Sequence, residues 1–225
     1  HQEIEDILVL KNNKGTEDNR VRKLDYSIQL SKIFYERFIK GGDITLFSPH
    51  DVPGLYEAFG TAKFDKLYKQ YEKDTSIPRK TIQARTLIGD ILKERAETGR
   101  IYIMNIDHTN EHSSFIDPVR MSNLCQEITL PTDPLQHIDG RGEIALCILS
   151  AINVGVLKDI KELETLCDLS VRGLEQIIDH QKYPVKAAEQ STKARRSLGI
   201  GYIGLAHYLA KNKAKYEDKE AWKLV

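Results

Sequence analysis

A short segment of the sequence, residues 121–127, carries three polar side chains at alternate positions. These are Asn123, Cys125 and Glu127, each separated from the next by one residue. In an extended strand or loop, side chains point to alternate sides, so we expect these three on the same side. A thiol between an amide and a carboxylate is a reactive group, because the carboxylate can act as a general base for a hydroxyl within its reach.

Two further cysteines lie downstream of this segment. Cys147 is in the middle of an apolar stretch, residues 144–152, that we predict to be a buried strand. A link rich in Pro, Asp and Gly, residues 131–143, precedes it. Cys167 is on the apolar face of a predicted helix, where an inert core thiol is expected.

The composition is that of an ordinary soluble protein of 225 residues, with 40% hydrophobic and 29% charged residues. Lys plus Arg number 33 and Asp plus Glu also number 33, so no positive field favours direct binding of nucleic acid. No apolar run approaches the ~18 residues that span a membrane, and the N-terminus has no features of a signal peptide. Three cysteines without a secretory signal favour a reducing compartment, so we predict a cytoplasmic protein.

The spacing of apolar residues predicts alternating helices and strands along the chain. Strands are predicted at residues 5–10, 44–47, 101–106 and 144–152, and helices at residues 24–39, 64–73, 81–97 and 199–213. A brief helix is predicted after Pro53-Gly54, and a capping box at Asp159 and Glu162 opens the helix that contains Cys167. Gly41 and Gly99 are predicted to end two of the helices. This alternation favours an α/β architecture.

A pair of histidines, His108 and His112, follows the predicted strand at residues 101–106 and is flanked by acidic residues. Metal ligands four positions apart share a face only on a helix. The residues between and after the histidines are typical of a loop. Hydrogen-bonding loop histidines near a site entrance are therefore a better interpretation than a metal site.

The sequence GIGYIG at residues 199–204 matches the dinucleotide-binding pattern G-x-G-x-x-G letter for letter. That pattern indicates a nucleotide site only after a strand and within a βαβ unit. No strand is predicted before Gly199. We therefore interpret the glycines as positions where the start of a helix packs closely against neighbouring backbone.

Several long motifs, in the same order, resemble the large (catalytic, alpha) subunit of the aerobic, class I ribonucleoside-diphosphate reductase, most closely the bacterial and phage type. They include SNLCQE around Cys125, GEIALCILSAINVG around Cys147, GGDITLFSPHDVPGLYEAF, ERAETGRIYIMNIDH and YPVKAAEQSTKARRSLGIG. The resemblance covers residues 1–225. It implies that this chain is the central segment of a ten-stranded α/β barrel of two five-stranded halves, with the active cysteine on a finger loop inside the barrel.

By this resemblance, four side chains have roles in reducing ribonucleoside diphosphates to deoxyribonucleoside diphosphates, the precursors of DNA. Cys125 would become a thiyl radical and abstract the 3′ hydrogen of the ribose. Glu127 would take the proton of the 3′ hydroxyl, and Asn123 would hydrogen-bond the ribose hydroxyls. Cys147 would be one of two thiols that reduce the 2′ carbon and end as a disulfide.

The resemblance also implies the partners and cofactors of a complete enzyme. A small subunit would generate the radical with a diiron-tyrosyl cofactor, and thioredoxin or glutaredoxin would restore the thiols. ATP and deoxynucleoside triphosphates would act as allosteric effectors, and the complete enzyme would be a homo-oligomer of the catalytic subunit with small subunits attached. We expect no cofactor or metal to be bound by this segment itself.

The family's second reducing cysteine, its phosphate-binding loop and its radical-relay tyrosines lie outside residues 1–225. The chain, which lacks an initiator methionine, is therefore expected to be an incomplete domain, either excised or one part of a split subunit, and inactive without its flanking parts. Two alternatives remain open. One is a non-catalytic nucleotide-binding or assembly fragment of the same fold, and the other is a thiol hydrolase that uses Cys125 with His108 or His112.

Overall fold

The computed structural model describes residues 1–225, with the exception of the side chain of Asn19. The chain divides into two compact units, His1–Pro131 and Thr132–Val225. None of the helices in the described part of the chain is long and apolar enough to cross a membrane.

Helices and strands alternate through the first unit. They are α1 (Ile4–Leu8), β1 (Ser27–Leu30), α2 (Lys32–Lys40), β2 (Asp43–Phe47), α3 (Leu55–Ala58), α4 (Phe64–Lys73), β3 (Arg79–Gln83), α5 (Ala84–Thr98), β4 (Tyr102–Asn105) and α6 (Ile106–Glu111). Short 3₁₀ helices cover Glu17–Asn19 and Pro49–Asp51.

Two strand pairs organise this unit. β1 and β4 are parallel, with Ser27 opposite Tyr102, and the chain between them forms helices and the antiparallel pair β2–β3. A parallel pair needs such a crossover connection, because its strands run in the same direction. The α/β class is therefore confirmed, although the described strands form two-stranded pairs and do not close a barrel.

The core of the first unit lies between α2, α5 and the strands. Buried residues on α5 recur every three or four positions, at Ala84, Leu87 and Ile91. Leu92, the residue after Ile91, is 51% exposed and lies off this buried face. Gly41 and Gly99 follow α2 and α5 in the left-handed region, with φ +68° and +65°, which confirms the two predicted helix ends.

Three predictions for the first unit are wrong in part. The run at residues 5–10 lies within and after helix α1 and forms no strand. Residues 27–30 form β1, and the predicted helix at 24–39 begins only at Lys32, because Ile28 and Leu30 face the core in a strand paired with β4. Residues 81–83 belong to β3 and pair with β2. Strand pairing across the unit overrides local helix propensity here.

The second unit is built on a parallel pair as well. Its elements are β5 (Leu149–Asn153), a 3₁₀ helix (Val154–Val156), α7 (Glu162–His180), α8 (Lys186–Arg195), β6 (Gly199–Ile203), α9 (Leu205–Lys211) and α10 (Lys219–Leu224). Leu149 is opposite Gly199 in the β5–β6 pair. Ile148 packs with Leu174 and Ile178 of α7 to form the buried cluster of this unit.

The predicted capping box at Asp159 and Glu162 is confirmed only in part, because α7 begins at Glu162 with Lys161, and not Asp159, as its N-cap. The Glu162 carboxylate accepts the Asp159 backbone N–H at 3.0 Å, and the Asp159 carboxylate accepts the Lys161 N–H at 2.9 Å. These contacts use backbone donors that have no carbonyl partner within the first turn of a helix. The sequence therefore predicted the region in which α7 begins but not its first residue.

The glycine-rich sequence at residues 199–204 differs from its prediction. Residues 199–203 are strand β6 and not the start of a helix, so most of the G-x-G-x-x-G pattern lies in the strand and only its last glycine, Gly204, lies at the strand-to-helix turn. Gly204 precedes α9 with φ +75°. A Cβ atom there would lie 2.4 Å from the Asn153 Oδ1 atom and 3.0 Å from the Gly155 nitrogen. Close packing at a helix start is thus confirmed at Gly204.

Candidate functional site

The segment with Cys125 forms a tight turn. The Gln126 N–H donates to the Asn123 carbonyl at 3.2 Å, and Gln126 has φ +67°, in the left-handed region. The expected extended conformation, in which side chains at alternate positions share one side, is therefore wrong for residues 123–127. The turn leaves the Cys125 thiol and the Glu127 side chain exposed.

The Asn123 side chain closes this turn from within. Its Oδ1 atom accepts the Ile128 N–H at 3.0 Å and the Ser122 hydroxyl at 3.1 Å. Because the oxygen is used by these donors, the orientation of the amide is fixed. The Nδ2 group makes no hydrogen bond among the residues that the structure describes, so both of its hydrogens are available to an acceptor such as a hydroxyl oxygen.

The Cys125 thiol and the Glu127 carboxylate, like the Asn123 Nδ2 group, are not used in hydrogen bonds with other described side chains. Within the described part of the chain, the Glu127 carboxylate makes no hydrogen bond or ion pair, and no hydrogen bond joins Cys125 to His108 or His112. An unpaired carboxylate can accept a proton, a thiol can supply a hydrogen atom, and an amide N–H can donate. The turn thus presents three chemically different groups within five residues of sequence.

The turn is attached to one side of strand β1. The Gln126 side-chain amide donates to the Ser27 hydroxyl at 2.9 Å, and the Gln29 amide donates to the Arg120 carbonyl at 2.8 Å. Ser27 and Gln29 are two positions apart on β1, so they point to the same side. Sequence reasoning missed both anchors. The only available signal was two polar side chains alternating with apolar ones at residues 27–30.

A second attachment precedes the turn. Asn110, at the end of α6, donates its amide to the Val119 carbonyl at 3.0 Å and accepts the Val119 N–H at 2.7 Å. Val119 is fully buried and packs with Met104 and Ile106. The chain that leads into the turn is therefore fixed by both polar and apolar contacts.

Cys147 lies in the second unit, on the stretch before β5. The predicted strand at 144–152 begins only at Leu149, so Cys147 precedes the strand, and its thiol is exposed and free. Ile148, the next residue, is buried, and its carbonyl accepts the Gly199 N–H at 3.0 Å. An alternation of buried and exposed residues therefore begins just before β5 and turns Cys147 outward.

The start of the Cys147 stretch is fixed by an ion pair. The Arg195 guanidinium donates to both oxygens of the Glu143 carboxylate, at 2.7 to 3.1 Å, and the two side chains are 20% and 15% exposed. The Glu143 carboxylate also accepts the Asp133 N–H at 2.7 Å. Such bidentate pairs are among the stronger protein hydrogen bonds, so this end of the stretch is firmly held.

The basic residues near Arg195 are paired too. Lys193 pairs with Glu189, and Arg196 pairs with Asp179 and Glu175. The hydrogen bonds that Lys193 and Arg196 donate to these acids raise the pKa of both basic groups. The basic run that precedes residue 199 is therefore neutralised by acids of its own unit.

Two side-chain predictions need correction. Cys167 is exposed, because the buried positions of α7 are Leu174 and Ile178, so the expected core thiol is wrong. His108 lies in helix α6 and His112 directly follows it, so the predicted loop is wrong. Within the described residues, no group of three or more His, Cys, Asp or Glu side chains is arranged to hold a metal ion.

Comparison with known proteins identifies the family. A family model described as ribonucleotide reductase, barrel domain, matches residues 1–225. The chain is 58% identical over 227 residues to the ribonucleoside-diphosphate reductase subunit alpha of Haemophilus influenzae, with 98% of this chain and 30% of the relative covered. It is 53% identical to the ribonucleoside-diphosphate reductase 1 subunit alpha of Escherichia coli K12, with 98% of this chain and 30% of the relative covered. It is 45% identical to the ribonucleoside-diphosphate reductase subunit alpha of Enterobacteria phage T4, with 97% of this chain and 30% of the relative covered.

The chain thus spans about 30% of the length of these curated relatives. Its α/β architecture agrees with the barrel-domain description of the family model. By a match over its whole length and by identities well above 30%, this chain belongs to the ribonucleotide reductase family and corresponds to part of its barrel domain.

Proposed function

We propose that this chain is the central catalytic segment of a class I ribonucleoside-diphosphate reductase and that residues 1–225 form part of one larger catalytic domain. The observation that carries the proposal is the turn of residues 123–127. Among the residues that the structure describes, it combines an exposed thiol, an unpaired carboxylate and an amide whose two hydrogens are available. A fragment that served only for assembly would have no physical need for this combination.

The three groups of the turn have complementary roles in the proposed reaction. The Cys125 sulfur, as a thiyl radical, takes the 3′ hydrogen atom of the ribose. Glu127 takes the proton of the 3′ hydroxyl, and the Asn123 Nδ2 group donates to a ribose hydroxyl. Asn123 suits this role because its oxygen is held by Ser122 and Ile128, which leaves the nitrogen for the substrate.

Cys147 has a different role in the proposed reaction. Reduction at the 2′ carbon needs two electrons, and two thiols supply them when they end as a disulfide. One thiol is Cys147, which is exposed and free. The second comes from a part of the catalytic subunit that lies outside this chain, and thioredoxin or glutaredoxin reduces the disulfide afterwards.

The proposed complete enzyme contains further parts. A small subunit supplies the radical from its diiron-tyrosyl cofactor, ATP and deoxynucleoside triphosphates act as effectors, and the catalytic subunits assemble as a homo-oligomer in the cytoplasm. Residues 1–225 supply the hydrogen-transfer thiol and one reducing thiol. Without the flanking parts, this segment has no turnover.

The test is formation of a deoxyribonucleotide from a ribonucleoside diphosphate. This chain is combined with its flanking parts, the small subunit and a dithiol reductant. We expect product with the unmodified chain and with Cys167→Ser, and none with Cys125→Ser. Equal turnover of the two variants would contradict the proposed role of Cys125.

No product from a soluble, fully assembled mixture would favour the non-catalytic alternative. Rapid alkylation of Cys125 near neutral pH, together with hydrolysis of a test ester, would favour the thiol hydrolase, since hydrolysis by cysteine needs a thiolate. These outcomes distinguish the three functions.

A further inference from the structure

Gln126 has an unusual backbone conformation for its residue type. Its φ of +67° lies in the left-handed region, which glycine adopts without strain and most other residues avoid. The side chain must therefore form interactions that offset this strain. Those interactions involve both hydrogens of its amide group.

The two hydrogens of the Gln126 amide are donated to different parts of the unit. One goes to the Asn123 carbonyl at 2.8 Å, within the turn, and the other goes to the Ser27 hydroxyl at 2.9 Å, on the first residue of β1. The amide oxygen is buried and has no hydrogen-bond partner among the described residues. The donors rather than the oxygen therefore set the orientation of this side chain.

We propose that Gln126 is a positioning residue that fixes the Cys125 turn to strand β1 through the Asn123 carbonyl and the Ser27 hydroxyl. Gln29, two positions along the same side of β1, holds the Arg120 carbonyl at the other end of the segment. The segment is thus attached to β1 at two points. β1 itself is held by its pairing with β4.

This inference rests on the proposed function, since it assigns a consequence to the position of the thiol. A hydrogen atom is transferred only when the sulfur and the substrate carbon are nearly in contact, and a displacement of about 1 Å can cost ~10²-fold in rate. Both hydrogens of the Gln126 amide are used within the unit, which assigns this side chain to positioning the turn. Its loss should therefore lower kcat and leave KM nearly unchanged.

The test uses Gln126→Met, which keeps the length of the side chain and removes both donors, and Ser27→Ala, which removes the acceptor on β1. Gln136→Met is the matched control, because Gln136 is exposed and its side chain makes no hydrogen bond within the described residues. Amide hydrogen exchange at residue 126 is measured in the 225-residue chain. The values of kcat and KM are measured in the complete reductase.

We expect exchange at residue 126 to become about tenfold faster in Gln126→Met and in Ser27→Ala. We also expect kcat to fall about tenfold or more, with KM within about twofold. The double variant should be little worse than Gln126→Met alone, because both substitutions remove the same hydrogen bond. Gln136→Met should match the unmodified chain in each measurement.

Unchanged exchange and kcat in Gln126→Met would overturn the inference, and so would additive effects of the two substitutions. A higher KM with unchanged kcat would also overturn it, since that result would place Gln126 in substrate binding. Failure of the proposed function is separate. It would appear as turnover in Cys125→Ser, whereas failure of this inference alone leaves Cys125→Ser inactive and Gln126→Met normal.

Discussion

The two candidate reactive thiols are exposed alike but are held in different ways. Cys125 lies on a turn that is closed by hydrogen bonds of Asn123 with Gln126 and Ile128. Among the described residues, no hydrogen bond closes a turn around Cys147 in the same way. The stretch that contains Cys147 is fixed at its two ends, by the ion pair of Glu143 and by the backbone of the buried residue after the thiol.

This difference corresponds to the two proposed roles. A thiol that takes and returns a hydrogen atom in each cycle must return to the same position, and a closed turn provides that. A thiol that becomes part of a disulfide must approach a second sulfur to about 2 Å. A stretch that is fixed only at its ends allows this movement.

The largest effect is expected for Glu127→Gln, which removes the base from the Cys125 turn. We expect kcat to fall by about 10²- to 10⁴-fold, because an amide cannot accept the proton of the 3′ hydroxyl. The turn itself should be unchanged, since the carboxylate makes no hydrogen bond among the described residues. Deoxynucleotide formation measures the effect, with Glu217→Gln, at an exposed site, as control. Full activity of Glu127→Gln would exclude it as the base.

Two substitutions of Asn123 distinguish its role in closing the turn from its proposed role in the reaction. Asn123→Asp keeps an acceptor for the Ile128 N–H but loses the two hydrogens of Nδ2. We expect kcat/KM to fall by roughly 10- to 100-fold, while amide exchange at Ile128 stays slow. Asn123→Ala should lose activity and also exchange rapidly at Ile128. If Asn123→Asp were fully active, the amide would have a structural role only.

On the Cys147 side, Arg195→Met tests the ion pair that fixes the start of the stretch. The Glu143 carboxylate would lose its bidentate partner, so we expect the free energy of unfolding of the second unit to fall by about 1–3 kcal/mol. Urea unfolding followed by circular dichroism measures it. The control Lys193→Met removes an exposed pair and should cost much less. If both variants lost the same free energy of unfolding, the Arg195–Glu143 pair would stabilise the unit no more than an exposed pair does.

The smallest effect concerns pH and Glu72 of helix α4 in the first unit. Burial raises the pKa of Glu72, but hydrogen bonds from Arg37 and Thr45 outweigh it, so the pKa lies below the usual range. A carboxylate with a lowered pKa stabilises the folded state above its unfolded pKa, about 4.3, and this stabilisation is lost as the pH falls through the folded value.

Glu72→Gln should therefore weaken β2 near neutral pH by roughly 1 kcal/mol and have little effect in strong acid. Amide exchange at Ile44 and Leu46, compared between about pH 6 and pH 3, measures the difference. If the difference in exchange between Glu72→Gln and the unmodified chain grew as the pH fell, the pH dependence would have the opposite sign. That result would contradict a lowered pKa of Glu72 as the cause.

Much of the fold could be predicted from the sequence wherever the local signals agreed. Helix α4 has the predicted bounds, and β2, β4 and the glycine ends of α2 and α5 are also confirmed. In these segments the apolar spacing and the terminating residues indicate the same structure. By contrast, β1 was not predicted, because its partner β4 lies about 75 residues away in sequence and a short apolar run does not reveal that pairing.

The residues of the candidate site could be predicted from the sequence, but the conformation of the chain around them could not. The sequence pointed to Asn123, Cys125, Glu127 and Cys147, and their roles stay predictions. The turn at Cys125 depends on the positive φ of Gln126 and on an anchor 99 residues away at Ser27, neither of which leaves a periodic signal. The exposure of Cys167 was missed because only the C-terminal half of the apolar face of α7 is covered.

Peptide mapping after turnover is the most direct test of the claim that Cys125 and Cys147 have different roles. The complete reductase is incubated with a ribonucleoside diphosphate and no external dithiol, and the oxidation state of each cysteine is measured by mass spectrometry. The account predicts that Cys147 enters a disulfide in proportion to the deoxynucleotide formed, while Cys125 and Cys167 remain free thiols. Product accompanied by a free Cys147, or by Cys125 in a disulfide, would contradict it.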